Sequence, residues 1–419
     1  MSSPETDPTP EGALSAPVQA PHSEVIVIDD RETYLRAVDQ IAAGEGPIAI
    51  DAERASGYRY SQRAYLIQVF RRGAGTFLFD PPAIGSMAEL GAVGADEEWI
   101  LHAATQDLTC LREVGIDPQH LFDTELAARL AGLPRVGLGT VVSELLGIHL
   151  AKEHSAADWS TRPLPQAWLV YAALDVELLV DLREALGAIL DEAGKTELAA
   201  QEFVSVLERD LVPVRVEPWK RLNGLHSVRG GRGLAVARSL WEARDAYARE
   251  IDTAPGRLVP DASLLAVAKT LPATKRDLAS LKEFTGRASR GQLDRWWTAV
   301  EAGMATTDLP TMRGTGESVP PPRVWSDRNP EADRRLKKAR AALTTVAEDL
   351  KLPIENLLTP ETLRRLAWKP PVSPSVDSLG SELREMGARP WQVDATAQVI
   401  HDAFVEALQE PEQADEPTS

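Results

Sequence analysis

The chain has 419 residues, 43% of them hydrophobic, with 45 basic side chains against 63 acidic ones and a formal net charge of −18. At about 150 residues per domain this predicts two or three globular domains with ordinary cores. The acidic total argues, on its face, against a nucleic-acid partner, because phosphates attract positive surface. The single cysteine, Cys110, excludes an internal disulfide and a thiolate metal cluster.

Residues 1–22 and 409–419 are rich in Pro, Ser, Thr and acid and are expected to be disordered tails. The first of them has neither the basic start nor the apolar run of a signal peptide. Every apolar stretch, such as LLVDLREALGAIL, is broken by charge well short of ~18 residues, so no membrane span is expected and the cytoplasm is the expected compartment. Over residues 23–200, β-branched runs (VIVID, PIAIDAE, AYLIQVF, TFLFD, WILHA) alternate with amphipathic stretches, which predicts an α/β domain with a mixed sheet. Strand signals then stop. Two all-helical blocks are expected, residues 217–305 and 330–408, joined by a Pro/Gly/Ser-rich linker at 306–329. Their similar length and character suggest a distant duplication without a strict repeat.

Three segments of the first domain carry acids that chemistry can use. Asp51 and Glu53 follow the apolar run PIAI; two apart on a strand, they leave the same face and can converge on one cation. An acid-x-acid pair also suits a solvated strand end. Asp107 falls in the first turn of a helix, where the dipole by itself favours an acid, and His102 precedes it at a strand end, where histidine is commonly structural. Tyr171 and Asp175 are one turn apart on a helix whose Leu174, Leu178 and Leu179 supply core contacts. By itself that pair reads as a partly buried tyrosine bonded to an acid.

Taken in order, Asp-x-Glu on an early strand, an Asp after His-Ala about fifty residues later and Tyr-x-x-x-Asp on a late helix resemble the DEDD superfamily of 3′–5′ exonucleases, tyrosine subclass, and within it the ribonuclease D family. The likeness includes AYLIQV, LFDTELAARL and HSAADWSTRPLPQAWLVYAALDV and covers about residues 24–200. Residues 217–305, from Trp219–Leu225 through LVPDASLLAVAKTLPATKRDLASLKEF, look like an HRDC domain. The block at 330–408 looks like the second, more divergent HRDC-like domain that some members carry. Ala52 stands where the family often has threonine, and Ala103 and Ala104 where wider relatives often have an asparagine; no metal-binding carboxylate is lost, so any effect is expected on substrate preference.

The resemblance implies an α/β ribonuclease H-like exonuclease domain followed by two all-α HRDC-type domains. It further implies that Asp51, Glu53, Asp107 and Asp175 hold two divalent cations, Mg²⁺ or Mn²⁺, with Asp51 bridging, and that Tyr171 orients the attacking water. Zinc has no Cys/His cluster to select it. The implied substrate is RNA with a free 3′ end, tRNA precursors being the expected case, cut to 5′-nucleoside monophosphates. A G-x-x-x-x-G-K-[ST] loop is absent from the sequence, which excludes an ATP-driven helicase. The alternatives are a non-catalytic RNA-binding protein, whose mark would be a missing acid, and a DNA-directed exonuclease of the same superfamily.

Arg54, Tyr58, Arg59, Tyr60 and His102 are candidate RNA contacts around the first two motifs. Trp159 and Arg162 precede the last motif and border it or pack beneath it. Charge is unevenly divided: residues 24–200 hold 14 basic and 28 acidic side chains, whereas residues 217–305 hold 15 and 10, a net charge of +5. The acidic total therefore hides a basic module, in which Arg229, Arg232, Lys275, Arg276 and Arg287 are expected to supply salt-sensitive RNA affinity.

Overall fold

The computed structural model of the chain describes residues 25–150, 154, 156–210, 216–284, 286–312 and 319–409. The expected disordered segment 1–22 and residues 410–419 of the expected tail 409–419 lie outside the described residues; Gln409 itself ends a helix. Six strands, β1 (Val27–Ile28), β2 (Glu45–Arg54), β3 (Ala64–Arg72), β4 (Gly75–Phe79), β5 (Glu98–Leu101) and β6 (His120–Asp123), form one sheet in the order β1-β4-β3-β2-β5-β6. The β2–β3 and β3–β4 pairs are antiparallel and the other three are parallel, the mixed sheet that the early run of strands predicts. The strand β6 does not stand out in the sequence, because its four residues are too short to carry an alternating pattern.

The pleat decides what each face holds. Tyr34, Val38 and Ile41 of the helix Arg31–Ala42 and Leu182 and Leu186 of the helix Leu179–Glu192 join Ile48, Ile50, Ile67 and Val69 in one large core. Leu169, Ala172 and Ala173 of the helix Gln166–Glu177 pack on Leu66, Tyr65 and Leu78 in a second cluster, sealed by the fully buried Trp159. That first core continues past residue 200, since Phe203 and Val206 of the helix Thr196–Glu208 are buried in it.

Two further cores follow. In the first helical block, Trp219, Leu240, Phe284 and Trp296 are buried among the helices Gly230–Glu250 and Leu293–Ala305. In the second, the long helices Pro330–Asp349 and Pro390–Gln409 enclose Leu343, Leu379, Ile400 and Phe404. The stretch read as a linker is structured at its C-terminal end: Trp325 is fully buried in this last core and its indole N–H donates to the Pro320 carbonyl at 2.7 Å. Proline and glycine mark the turn there, but they do not show that the tryptophan beyond them is a core residue.

An ion pair between Arg389 and the buried Glu202 helps to dock the second helical block on the first region. Arg389 donates twice to Glu202, at 2.6 Å each, and the Trp391 indole N–H adds a third bond to the same carboxylate at 2.8 Å. Lys195 bridges the two bodies as well, donating to the carbonyls of Leu130 (2.6 Å) and Lys351 (3.3 Å). Among the described residues no helix is long and apolar enough to cross a membrane.

Gly303 is where the two principal helices of the first block touch: a Cβ there would lie 2.6 Å from the Val236 Cα and 3.0 Å from its nitrogen. Backbone cannot yield as a side-chain tip can, so Gly303→Ala should destabilise the chain by about 1–3 kcal/mol, read as a lowered urea or thermal midpoint. An unchanged midpoint would show that the helices do not approach closely at this point.

Candidate active site

The paired register of β2 and β3 sets the geometry. Asp51 lies opposite Gln68 and Glu53 opposite Leu66, so both acids leave the face of the sheet that the helix Gln166–Glu177 covers. That helix supplies Asp175. One carboxylate oxygen from each of Asp51, Glu53 and Asp175 lies within 4.8 Å of the other two. Asp107 arrives from β5 by way of a short helical turn and heads the helix Leu108–Glu113. Its carboxyl sits at hydrogen-bonding range from that of Asp51. All four face a cavity of about 530 Å³, also lined by Tyr171, Arg54, His102, Ser56 and Gly57, a size ordinary for a small-molecule site.

Each acid is held by its surroundings. Gln68, fully buried, donates from its amide nitrogen to one oxygen of Asp51 at 2.7 Å. Tyr171 hydrogen-bonds through its hydroxyl to Asp175, one helical turn away. Asp107 depends on Asp123, whose carboxylate accepts from the backbone N–H groups of Ala103 and Ala104 at 3.0 and 2.9 Å and also caps the helix Thr124–Ala131. Those bonds hold Ala103 in a left-handed conformation (φ 61°) that few non-glycine residues adopt unaided, and the chain thereby turns from β5 toward Asp107. Sequence reasoning misses Gln68 and Asp123. Their signals are a polar residue inside the apolar run AYLIQVF and an acid just before TELAARL.

Burial is the first cause of the electrostatics. It pushes Asp51, Glu53, Asp107 and Asp175 above the ordinary carboxylate range; repulsion among neighbouring acids raises Glu53, Asp107 and Asp175 further. Arg54 is the cation beside them, 3.7 Å from Asp107, too long for a hydrogen bond. Tyr171 is likewise raised, by burial and then by Asp175, and stays protonated as a donor. Four hard oxygen ligands crowded around a cavity, with one distant guanidinium to balance them, match the requirements of divalent cations that prefer oxygen.

The other residues picked from the sequence divide. Burial lowers the His102 pKa to about 4, so the ring is neutral at pH 7, and it shares a hydrogen bond with the Thr124 hydroxyl at 2.9 Å. The Arg257 guanidinium covers the Tyr58 ring at 3.8 Å, and the Tyr60 hydroxyl is bonded to Asp245 at 3.0 Å and Arg249 at 3.0 Å. Arg59 donates to the Ser160 hydroxyl at 2.8 Å. These three therefore have partners within the chain, and for the two tyrosines the local sequence does not contain the reason: a helical block some 190 residues away lies against them. Trp159 is core, and Arg162 ties the chain before Tyr171 to Asp80 (2.6 Å) and to the Tyr65 carbonyl (2.7 Å). In the basic block, Arg232 donates to the carbonyls of Gly303 and Thr306 and Lys275 pairs with Asp294, whereas Arg229, Arg276 and Arg287 are exposed.

Comparisons with known proteins bear on the same residues. A family described as 3′-5′ exonuclease matches residues 25–191, HRDC domain matches 233–300, and 3′ to 5′ exonuclease C-terminal domain matches 318–404. The chain is 31% identical to ribonuclease D of Acidiphilium cryptum over 313 residues, which span 71% of this chain and 78% of that protein. It is 32% identical to ribonuclease D of Jannaschia sp. over 324 residues, spanning 74% and 82%. Among solved structures, a protein from Bifidobacterium adolescentis is similar at TM-score 0.85 and 37% identity, covering 92% of this chain and 98% of that one. Escherichia coli RNase D, an exoribonuclease involved in structured RNA processing, is similar at TM-score 0.67 and 26% identity, covering 92% and 99%.

The raised acids give a pH signature. Without metal the folded chain holds protons at these sites more tightly than the unfolded chain, so the stability in question is intact below the ordinary carboxylate pKa and is lost as pH rises from there through the raised values. The melting temperature of the metal-free chain should therefore fall, as pH rises above the ordinary carboxylate range, more steeply than that of Asp175→Asn, which relieves the repulsion. Saturating Mg²⁺ or Mn²⁺ should raise the melting temperature of the wild-type chain and flatten its pH slope. Equal slopes in the wild type and the variant would show that the acids do not repel one another in the folded state.

Proposed function

Because the chain belongs to the ribonuclease D family, we propose that it is a metal-dependent 3′–5′ exoribonuclease that trims the 3′ ends of stable RNAs such as tRNA precursors and releases 5′-nucleoside monophosphates. The observation that supports this reading is the meeting of four carboxylates from β2, the β5 turn and the helix Gln166–Glu177 with a tyrosine bonded to one of them.

Asp51, Glu53, Asp107 and Asp175 would hold two divalent cations, Mg²⁺ or Mn²⁺. When bound, such ions lower the pKa of a water and stabilise the leaving oxygen of the phosphodiester. The chain's own residues do the positioning. The Tyr171 hydroxyl donates a hydrogen bond to Asp175, which leaves its oxygen lone pairs to accept from a water in the cavity and so orient that water toward the phosphate. Gln68 restrains one oxygen of Asp51 and turns the carboxylate toward the cavity. Ser56 and Gly57 form a wall against which a 3′-terminal nucleotide can rest.

The positive surface of the first helical block recruits the RNA. Arg229, Arg276 and Arg287 carry this role. Arg232, bound to helix-end carbonyls, and Lys275, paired with Asp294, contribute less than the sequence suggests.

A time course of product lengths on a 3′-extended tRNA with Mg²⁺, Mn²⁺ or chelator tests direction, metal and substrate together; internal cleavage, or trimming that survives chelator, would overturn the reading. Asp175→Asn should abolish trimming with the fold retained. Tyr171→Phe should lower kcat by about 10²-fold with RNA affinity little changed, and an unchanged kcat would remove the tyrosine from the reaction. Neutralising Arg276 and Arg287 to Gln should weaken RNA binding and reduce the salt slope by about 0.7 for each phosphate no longer neutralised; an unaltered slope would move the recruiting surface elsewhere.

A further inference from the structure

The cavity wall at Ser56–Gly57 begins three residues after Glu53; the Ser56 hydroxyl donates to the Gln62 side-chain oxygen at 2.8 Å, and further contacts come from the first helical block. The Arg257 guanidinium donates from Nε to the Gly57 carbonyl at 2.7 Å and lies over the Tyr58 ring at 3.8 Å. The peptide plane between Gly57 and Tyr58 is therefore fixed at both ends, because the Tyr58 N–H donates to the Ala55 carbonyl at 2.8 Å. The next plane is fixed too, since the Tyr58 carbonyl accepts from the Ala254 N–H at 3.0 Å. Beyond it, the Tyr60 hydroxyl reaches Asp245, and Asp252 accepts from the Ser61 N–H at 2.8 Å and from the Tyr65 hydroxyl at 3.2 Å.

Within the loop the Ala55 carbonyl accepts from the N–H groups of Tyr58 and Arg59 at 2.8 Å each, whereas the Gly57 and Tyr58 carbonyls are held from the helical block. Gly57 itself touches nothing with its Cα face, since a Cβ built there would meet no atom within 4 Å. A short loop with one exposed serine and a glycine at its tip would otherwise be free to move by an ångström or more, and misplacement of that size at a reacting centre costs on the order of 10²-fold in rate.

We propose that the first helical block is a positioning element of the active site, with Arg257 as the positioning residue that holds the Ser56–Gly57 wall in place for the 3′-terminal nucleotide. This rests on the exonuclease reading of the cavity. It gives the block a second task, separate from recruiting RNA through its exposed arginines: Arg257 acts on how the end of any substrate sits, even one too short to reach the basic surface.

The test uses the full chain and a trinucleotide with Mg²⁺, beside a long 3′-tailed RNA. Arg257→Ala should lower kcat by roughly tenfold on both substrates, with KM for the long RNA and the salt slope of its binding unchanged. Arg257→Lys keeps a donor for the Gly57 carbonyl and a cation over Tyr58, and should restore most of the loss. Amide hydrogen exchange over residues 55–62 should rise about tenfold in Arg257→Ala while β3 and β4 stay protected.

A loss confined to KM on the long RNA would mean that Arg257 recruits, and would overturn the proposal. Unchanged exchange at residues 55–62 would overturn it whatever the activity. Should Arg257→Ala not fold, Tyr60→Phe removes only the hydroxyl bonded to Asp245 and should give the same pattern in weaker form; wild-type exchange and kcat in that variant would overturn the proposal equally. A wild-type chain that leaves both substrates intact would instead refute the exonuclease reading, while the exchange measurement would still decide whether the block holds the wall.

Discussion

Bringing Asp51, Glu53, Asp107 and Asp175 into one buried cavity sets like charges against one another where water screens them poorly. A polypeptide left to relax would part them. This one holds them with the most rigid parts it has: the central strand β2, a helix packed across its face, and a turn locked by Asp123. The fully buried Gln68 and the Tyr171 hydroxyl each engage one carboxylate, so the acids are directed as well as confined. Much of the first region's architecture reads as the means of holding a repulsive cluster ready for cations.

The same constraint shapes the rest of the chain. A region with an excess of acid repels a polyanion such as RNA, and positive charge placed among the clustered acids would compete with any cation for them. Arg54, at 3.7 Å from Asp107, is the exception inside the cavity. A net positive charge lies on the first helical block, which leans on the loop after β2 through Tyr60, Asp245, Arg249 and Arg257. The second block is fastened on another side, through Glu202, Arg389 and Trp391. Both blocks are thereby fastened to the first region.

Much of this is legible in the sequence, for particular physical reasons. The apolar runs that form β2, β3, β4 and β5 are visible because a strand buried on both faces has nearly uninterrupted hydrophobic residues. Asp51 and Glu53 read as a pair because a strand repeats every two residues, and Tyr171 with Asp175 because a helix returns after about four. The short β6 escapes for want of a pattern. Trp325 reads as linker because its Pro-rich neighbours describe the turn before it and say nothing of what it packs against. The partners of Tyr58 and Tyr60 in the first helical block are not legible, because an aromatic in a loop has the same local sequence whatever it packs against.

The sequence alone determined the local facts: which of the longer segments are strands or helices, which acids share a face, where the chain changes from mixed sheet to all helix, and that a net charge of −18 conceals a basic stretch. These follow from period, composition and short-range sterics, which act over a few residues. The convergence of Asp107 and Asp175 on the β2 acids, the support of Asp51 by Gln68 and the hold of Arg257 on Gly57 were decided only by the tertiary structure. Each joins residues 17 to 200 positions apart in the chain, and at such distances a partner is chosen by how sheet and helices pack, which no local periodicity encodes.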